Sequence, residues 1–316
     1  MSQRIYEGLG SISKIIQILE ESNSKNVLLV TGKKSFILSG AEKALKPLLK
    51  RFNITRFDDF EINPTFEDAV RGTLIAKKNN IDTVVSIGGG SVIDIAKIIL
   101  AFIAPNQNFH AIVTGQDIPK NPKIPHFSIP TTAGTGSEST HFAVVYLNKN
   151  KYSIAAPFLL PNTAILDGEL IISNSSFQKA VNGLDSLAQA IESHWAKKST
   201  PESRSYSRQA IPYLYKNLPK IVSDNVEKKD YQDFIYNSNL AGRAINISKT
   251  TSPHAFSYAF TSQYGIPHGQ AVWLTLPKIF RIHLNTIKSN NFDGKHYDQL
   301  NYLLHEIIVL MGISKK

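Results

Sequence analysis

The chain is 316 residues long, 42% hydrophobic and free of cysteine, with 35 Lys and Arg against 25 Asp and Glu for a formal charge of +10. That length suits two domains of ordinary size, and the missing thiols exclude disulfides and thiolate metal sites. No run of about 18 apolar residues is available to span a bilayer, and the N-terminal MSQRIYEGLG lacks the apolar core of a signal peptide, so cytoplasmic residence is expected.

The lysines are scattered (Lys33, Lys34, Lys77, Lys78, Lys197, Lys198, Lys228, Lys229) and are not interleaved with aromatics in a recognition module, so no nucleic-acid partner is expected. A general positive field that draws in small anionic substrates is the better use of the charge.

Asn26 to Thr31 reads as a buried strand, followed by Gly32 and a helix from about Gly40 to Phe52. Ile54 to Phe60 reads as a second strand, Thr65 to Asn80 as a helix with Val70, Leu74 and Ile75 on its apolar face, and Thr83 to Ile87 as a third strand. Alternating strands and helices imply a parallel sheet that binds ligands at its carboxyl edge. Lys33 and Lys34 after the first strand leave NADP as open as NAD.

TVVSIGGGSVIDIAK, residues 83–97, joins a strand to a helix through three glycines. Gly88, Gly89 and Gly90 let a ligand approach the backbone, and Ser91 opens a helix whose free N–H groups suit a pyrophosphate. The pattern is neither Gly-x-Gly-x-x-Gly nor a P-loop. Residues 124–140, IPHFSIPTTAGTGSEST, offer a dense set of hydroxyl and backbone donors or an irregular loop. His141 to Leu147 with Tyr152 to Ala156 suggests a hairpin, and Thr163 to Leu166 another strand.

Beyond about Phe177 the pattern turns helical: Gln178 to Trp195, Pro201 to Leu218, Tyr231 to Ser248 and Ala255 to Ser262. The expected division is an α/β dinucleotide-binding domain with a parallel sheet over 1–172 and an all-α domain over 173–316. Asp185 and Gln189 stand one helical turn apart, while His254 and His268 lie in SPHAFSYAFTSQYGIPHG. Carboxylate, amide and imidazole donors suit Fe²⁺ or Zn²⁺. His110, His126, His141, His194, His283, His296 and His305 read as structural or surface residues.

GGGSVIDIAK, PTTAGTGSE, GLDSLAQAIESHW and HAFSYAFTSQYGIPHG, in this order, resemble the iron-containing (group III) alcohol dehydrogenase family over nearly the whole chain. The resemblance implies an NAD(P)-binding α/β domain and a helical domain holding a divalent metal, the architecture shared with dehydroquinate synthase. It implies that Gly88, Gly89, Gly90 and Ser91 cradle the pyrophosphate, with Asp94 and Lys97 on the following helix. It places Thr131 and Thr132 beside the nucleotide and Lys151 near the nicotinamide ribose.

Asp185, His254 and His268 match the family's metal ligands, but Gln189 stands where a His is usual, and Tyr258 replaces a His near the substrate carbonyl. AQAIESHWAKKSTPESR and INISKTTSPHAFSYAFTSQYGIPHG look most like the phosphonoacetaldehyde reductase subgroup. Arg243, Asn246 and Lys249, at helical spacing, would then bind a phosphonate, or else Arg243 and Lys249 form a solvated face.

The expected reaction is hydride transfer from NAD(P)H to a small, anionic aldehyde polarised by the metal. Another alcohol, diol or lactaldehyde dehydrogenase, a lyase of the dehydroquinate synthase type, or a nucleotide-binding pseudoenzyme stay open as alternatives. Only 48 residues follow His268, fewer than the family usually carries, which leaves a helical domain short of part of its core as an expectation. The resemblance also implies a homodimer or larger assembly and no membrane partner.

Overall fold

The computed structural model describes residues 3–46, 49–148, 150–223, 225–288 and 295–313. The strands are β1 (Arg4–Glu7), β2 (Asn26–Thr31), β3 (Asn53–Phe57), β4 (Thr83–Gly88), β5 (His126–Pro130), β6 (Phe142–Leu147), β7 (Asn150–Ala155) and β8 (Thr163–Leu166). The first six helices are α1 (Lys14–Glu21), α2 (Ser35–Leu38), α3 (Ala41–Leu45), α4 (Phe66–Lys78), α5 (Gly90–Ile103) and α6 (Phe109–Val113). They are followed by α7 (Ser176–Trp195), α8 (Pro201–Ile221), α9 (Lys228–Ser248), α10 (Ser252–Tyr264), α11 (His268–Lys288) and α12 (Lys295–Leu310).

The described residues form two compact units, one drawn from 1–132, 137–174 and 227–235, the other from 133–136, 175–226 and 236–316. Residues 133–136 thus belong with the helical unit, and the first third of α9 belongs with the sheet.

In the first unit β1, β8, β5, β4, β2 and β3 lie side by side in that order, all parallel. The strand order turns back between β2 and β4, which opens a crevice at their carboxyl ends. Gly32 follows β2 there and Gly88 ends β4. Period-two alternation sends Leu28, Val30 and Val84 to one face, against α4 and α5, and Val27, Leu29, Val85 and Ile87 to the other, against α1 and α3. Buried on both faces, these strands read as continuous apolar runs.

Three expectations change here. The helix expected from Gly40 to Phe52 is shorter: α3 stops at Leu45, and Leu49–Arg51 is a separate 3₁₀ turn. Leu74 is 61% exposed, and α4 buries Ala69, Gly72, Thr73 and Ala76 instead, because the helix turns its small residues inward to lie close to the sheet. HFSIP, the start of the expected loop, is strand β5 and wholly buried. Thr65 starts α4 with a capping box to Asp68.

The second unit is helical. Ser175 and Gln178 cap α7, which packs on α8, α11 and α12. From Asp185 to Trp195 every residue of α7 is buried, so it is a central helix wrapped by the others and not an amphipathic surface helix. Among the described residues no helix is long and apolar enough to cross a membrane.

Candidate functional site

Because α7 is central, any polar side chain on it must find partners or a ligand. Asp185, Gln189 and Glu192 succeed one another along one face of it, all buried. His254 lies in the first turn of α10, just behind Pro253, and His268 opens α11. Gly269 makes the second approach possible: a side chain there would run into the Val181 carbonyl and the Asp185 main chain.

One oxygen or nitrogen from each of Asp185, His254 and His268 falls within 4.8 Å of the others. The Asp185 Oδ1 to His254 Nε2 distance is 3.2 Å and Asp185 Oδ1 to His268 Nε2 is 3.9 Å. Burial favours the neutral Asp185 carboxyl, but the His268 and His254 imidazoles and the Gln189 amide outweigh it and hold the group below its usual range. Burial likewise pushes His254 down, while Glu192 and Asp185 on either side of the ring raise it to about 9.

Both imidazoles are oriented through their far nitrogens. His254 Nδ1 lies 2.5 Å from Glu192 Oε1. The Ser257 hydroxyl donates to the His254 carbonyl at 2.6 Å, so its oxygen accepts from His268 Nδ1 at 3.3 Å. Each ring then turns Nε2 toward Asp185. A carboxylate oxygen and two imidazole Nε2 atoms, with only His268 partly exposed, fit a borderline divalent cation such as Zn²⁺ or Fe²⁺.

Gln189 Nε2 donates to the Thr135 carbonyl at 3.1 Å and hydrogen-bonds the Asp185 carboxylate. Its Oε1 is buried with no hydrogen-bond partner among the described residues. In this arrangement the amide holds Asp185 in place. Tyr258 follows His254 by one turn, and burial together with the Glu192 and Asp185 charges raises its phenol.

Of the residues expected to hold an anion, Arg243 has a partner of its own. The Arg243 guanidinium stacks 4.2 Å over the Tyr206 ring and donates to the Tyr206 hydroxyl at 2.7 Å, which in turn donates to Glu202 at 3.0 Å. Lys249 follows the last residue of α9, Ser248, and closes the final turn: its N–H bonds the Ile245 carbonyl, while its φ of 63° turns the chain out of the helix after it. Burial, then the nearby Lys198, lowers its ammonium to about 8. Asn246 is half-buried on α9 between them.

In the first unit, Gly88 ends β4, Gly89 caps α5 in extended conformation, and Gly90 begins the helix. Thr131 N–H bonds the Gly88 carbonyl at 3.0 Å, and a Cβ on Gly89 would lie 3.3 Å from the Thr132 side chain. The Thr131 hydroxyl is buried with no partner among the described residues, an orphan that fits a bound nucleotide beside the turn. Ser91 Oγ accepts from the Asn63 N–H at 3.2 Å.

Asp94 and Lys97 face the hairpin. Asp94 accepts from Val144 N–H at 2.9 Å, and the fully buried Lys97 ammonium donates to Ser137 O, Thr140 Oγ1 and Phe142 O at 2.5–3.0 Å. Lys151 sits on β7 opposite Tyr146, near enough to Asp94 to favour its ionised form. Burial dominates there and raises Asp94. Sequence reasoning missed Glu192, Thr251 and Ser257. Glu192, seven residues after Asp185 and so on the same face, was the one with a legible signal.

The sequence matches two family models, "Iron-containing alcohol dehydrogenase" over residues 2–168 and "Fe-containing alcohol dehydrogenase family, C-terminal" over residues 179–313. It is 27% identical over 86% of its length to long-chain-alcohol dehydrogenase 1 of Geobacillus thermodenitrificans, covering 70% of that protein. It is 32% identical over 83% of its length to alcohol dehydrogenase 4 of Schizosaccharomyces pombe, covering 63% of it. The fold superposes with a TM-score of 0.84 on sulfoacetaldehyde reductase from Bifidobacterium kashiwanohense in complex with NAD⁺, at 30% identity over 99% of this chain and 85% of that one. The chain therefore belongs to the iron-containing alcohol dehydrogenase family, whose chemistry is NAD(P)-linked, metal-dependent oxidoreduction of alcohols and aldehydes.

Proposed function

We propose that this chain interconverts a small primary alcohol and its aldehyde, with NAD(P)H as the hydride carrier and a divalent metal held by Asp185, His254 and His268. The convergence of those three side chains, two buried and His268 partly so, with both imidazoles turned Nε2-inward, is the observation that carries the reading. When bound, the metal supplies a Lewis acid for a carbonyl oxygen and the nicotinamide supplies or accepts hydride.

The chain's own residues do the positioning. Glu192 and Ser257 fix the ring orientations, and Gln189 steadies the Asp185 carboxylate. Tyr258, with its raised pKa, keeps its hydroxyl proton at neutral pH and serves as a donor on the substrate side. Gly88, Gly89, Gly90, Ser91, Thr131, Thr132 and Lys151 form the proposed nucleotide-binding set. Asp94 belongs to it through the hairpin that it steadies and not through phosphate contact.

A second, narrower reading is an aldehyde with an anionic tail, phosphonoacetaldehyde or a sulfonate analogue. The half-buried Lys249 with Lys198 beside it supports that reading, as does the likeness to a sulfoacetaldehyde reductase. Arg243, committed to Tyr206, contributes less to it than the sequence suggests. A homodimer or larger assembly is part of the proposal and is checked by light scattering.

The test is oxidation of NADH or NADPH by a panel of neutral and anionic aldehydes, with Fe²⁺ or Zn²⁺ added or chelated. Metal-dependent turnover is expected. Nucleotide binding with no turnover of any aldehyde or alcohol would replace this reading with a pseudoenzyme, and product formation with no net change in cofactor would point to a lyase.

A further inference from the structure

The Glu192 carboxylate is fully buried on α7, pairs with the His254 ring and makes its hydrogen bonds as an acceptor. Its Oε1 meets His254 Nδ1 at 2.5 Å. Its Oε2 takes the Thr251 N–H at 2.6 Å and the Thr251 hydroxyl at 2.7 Å. Thr251 Oγ1 has one proton to give and gives it to Glu192, so it accepts from Trp195 Nε1 at 3.0 Å. The chain of donors runs Trp195 to Thr251 to Glu192, and a second runs from His254 to Glu192.

We infer that Glu192 is a positioning residue for the metal centre: it holds His254 as the Nδ1–H tautomer and locks the Thr251 backbone that launches α10, so that His254 Nε2 is presented to the metal. The inference rests on the proposed metal site at Asp185, His254 and His268. Its logic is one of counting. Three donors converge on this carboxylate, and two oxygens serve them all. A glutamine has the same shape but one oxygen. Whichever way the amide turns, an N–H₂ group faces either the Thr251 donors or His254 Nδ1–H, and the second case drives the imidazole toward the Nε2–H tautomer, which cannot bind a metal through Nε2.

The experiment measures Zn²⁺ and Co²⁺ affinity of the intact protein by competition with a chromophoric chelator, in the original chain and in Glu192→Gln and Glu192→Asp. Glu192→Gln is expected to lose 10- to 100-fold in affinity, the range for loss of such an outer partner, and to shift the Co²⁺ d–d spectrum. Glu192→Asp keeps both acceptors and is expected to restore part of the loss. Unchanged affinity in a folded Glu192→Gln protein overturns the inference.

A long-range ¹H–¹⁵N spectrum of the unsubstituted Zn²⁺-loaded protein tests the same point with no variant at all. A His254 Nδ1–H signal with a metal-shifted Nε2 supports it, and an Nε2–H signal overturns it. If the original chain binds neither metal, the proposed metal site itself fails. If the original chain and Glu192→Gln bind equally, only the role of Glu192 fails.

Discussion

Gly136 and Gly242 meet backbone to backbone: a Cβ on Gly136 would lie 2.5 Å from the Gly242 Cα, and one on Gly242 would lie 2.7 Å from the Gly136 Cα. Gly136 also has φ 65°, which a side chain resists. Gly136→Ala therefore combines strain with overlap, and a loss of about 2–4 kcal/mol in urea unfolding is expected. Gly242→Ala, on a helix, meets the overlap alone and is expected to lose less. Because the Thr135 carbonyl next to Gly136 receives Gln189, both variants should also weaken Zn²⁺ binding.

Lys97 supplies a second prediction. Replacing it with Met removes the ammonium's hydrogen bonds to Ser137 O, Thr140 Oγ1 and Phe142 O and the positive charge that most favours ionised Asp94. Breaking a buried charge arrangement from one side costs about 3–5 kcal/mol. The urea midpoint should fall accordingly, and hydrogen exchange should rise first in β6 and β7.

His126 predicts a pH dependence. Burial, reinforced by the Lys97 charge, holds its pKa down to about 3, and Nε2 sits 2.8 Å from Ser86 Oγ. The unfolded chain takes up a proton at about pH 6.5 while the folded one does not. Stability is thus intact above about pH 6.5 and is lost as pH falls toward 3, by about 1.4 kcal/mol per unit. His126→Gln should remove that component, seen as a flatter plot of urea midpoint against pH across this window.

At the metal centre, Gln189→His is expected to add an imidazole donor one turn from Asp185 and to raise Zn²⁺ affinity about tenfold. Gln189→Ala is expected to lower it modestly, because Asp185 loses the amide that steadies it. A competition titration reads both.

Lys249→Met distinguishes the two substrate readings. With an anion-tailed aldehyde its KM should rise about tenfold or more, while a neutral aldehyde of the same length is turned over unchanged. Equal effects on both substrates would remove Lys249 from anion recognition.

The sheet was legible because buried parallel strands such as NVLLVT and TVVSIG are unbroken apolar runs. HFSIP escaped because His126, Ser128 and Pro130 look like loop residues until Ser86 is seen to meet the His126 ring, Asn162 its main-chain N–H and the Thr163 carbonyl the Ser128 hydroxyl. Leu74 misled because Gly72, Thr73 and Ala76 carry no apolar signal, yet smallness is what lets α4 lie close. Asp185, His254 and His268 could be singled out by residue type. Glu192 shares the Asp185 face by its spacing, but a lone glutamate on a helix reads as a solvated charge until its burial is known. The end of α9 at Lys249 carried no glycine or proline signal, because Lys249 itself takes the positive φ that ends the helix.

Since Asp94 and Lys97 turn toward the β6–β7 hairpin, the first turns of α5 would offer the diphosphate proposed at the glycine turn main-chain dipoles and neither of these side-chain charges. Such a grip does not titrate and cannot be tuned by exchanging those charges. Being blind to a 2′-phosphate, the proposed grip leaves any preference between NAD and NADP to other residues of the sheet's edge, where single substitutions can rewrite it without disturbing the anchor.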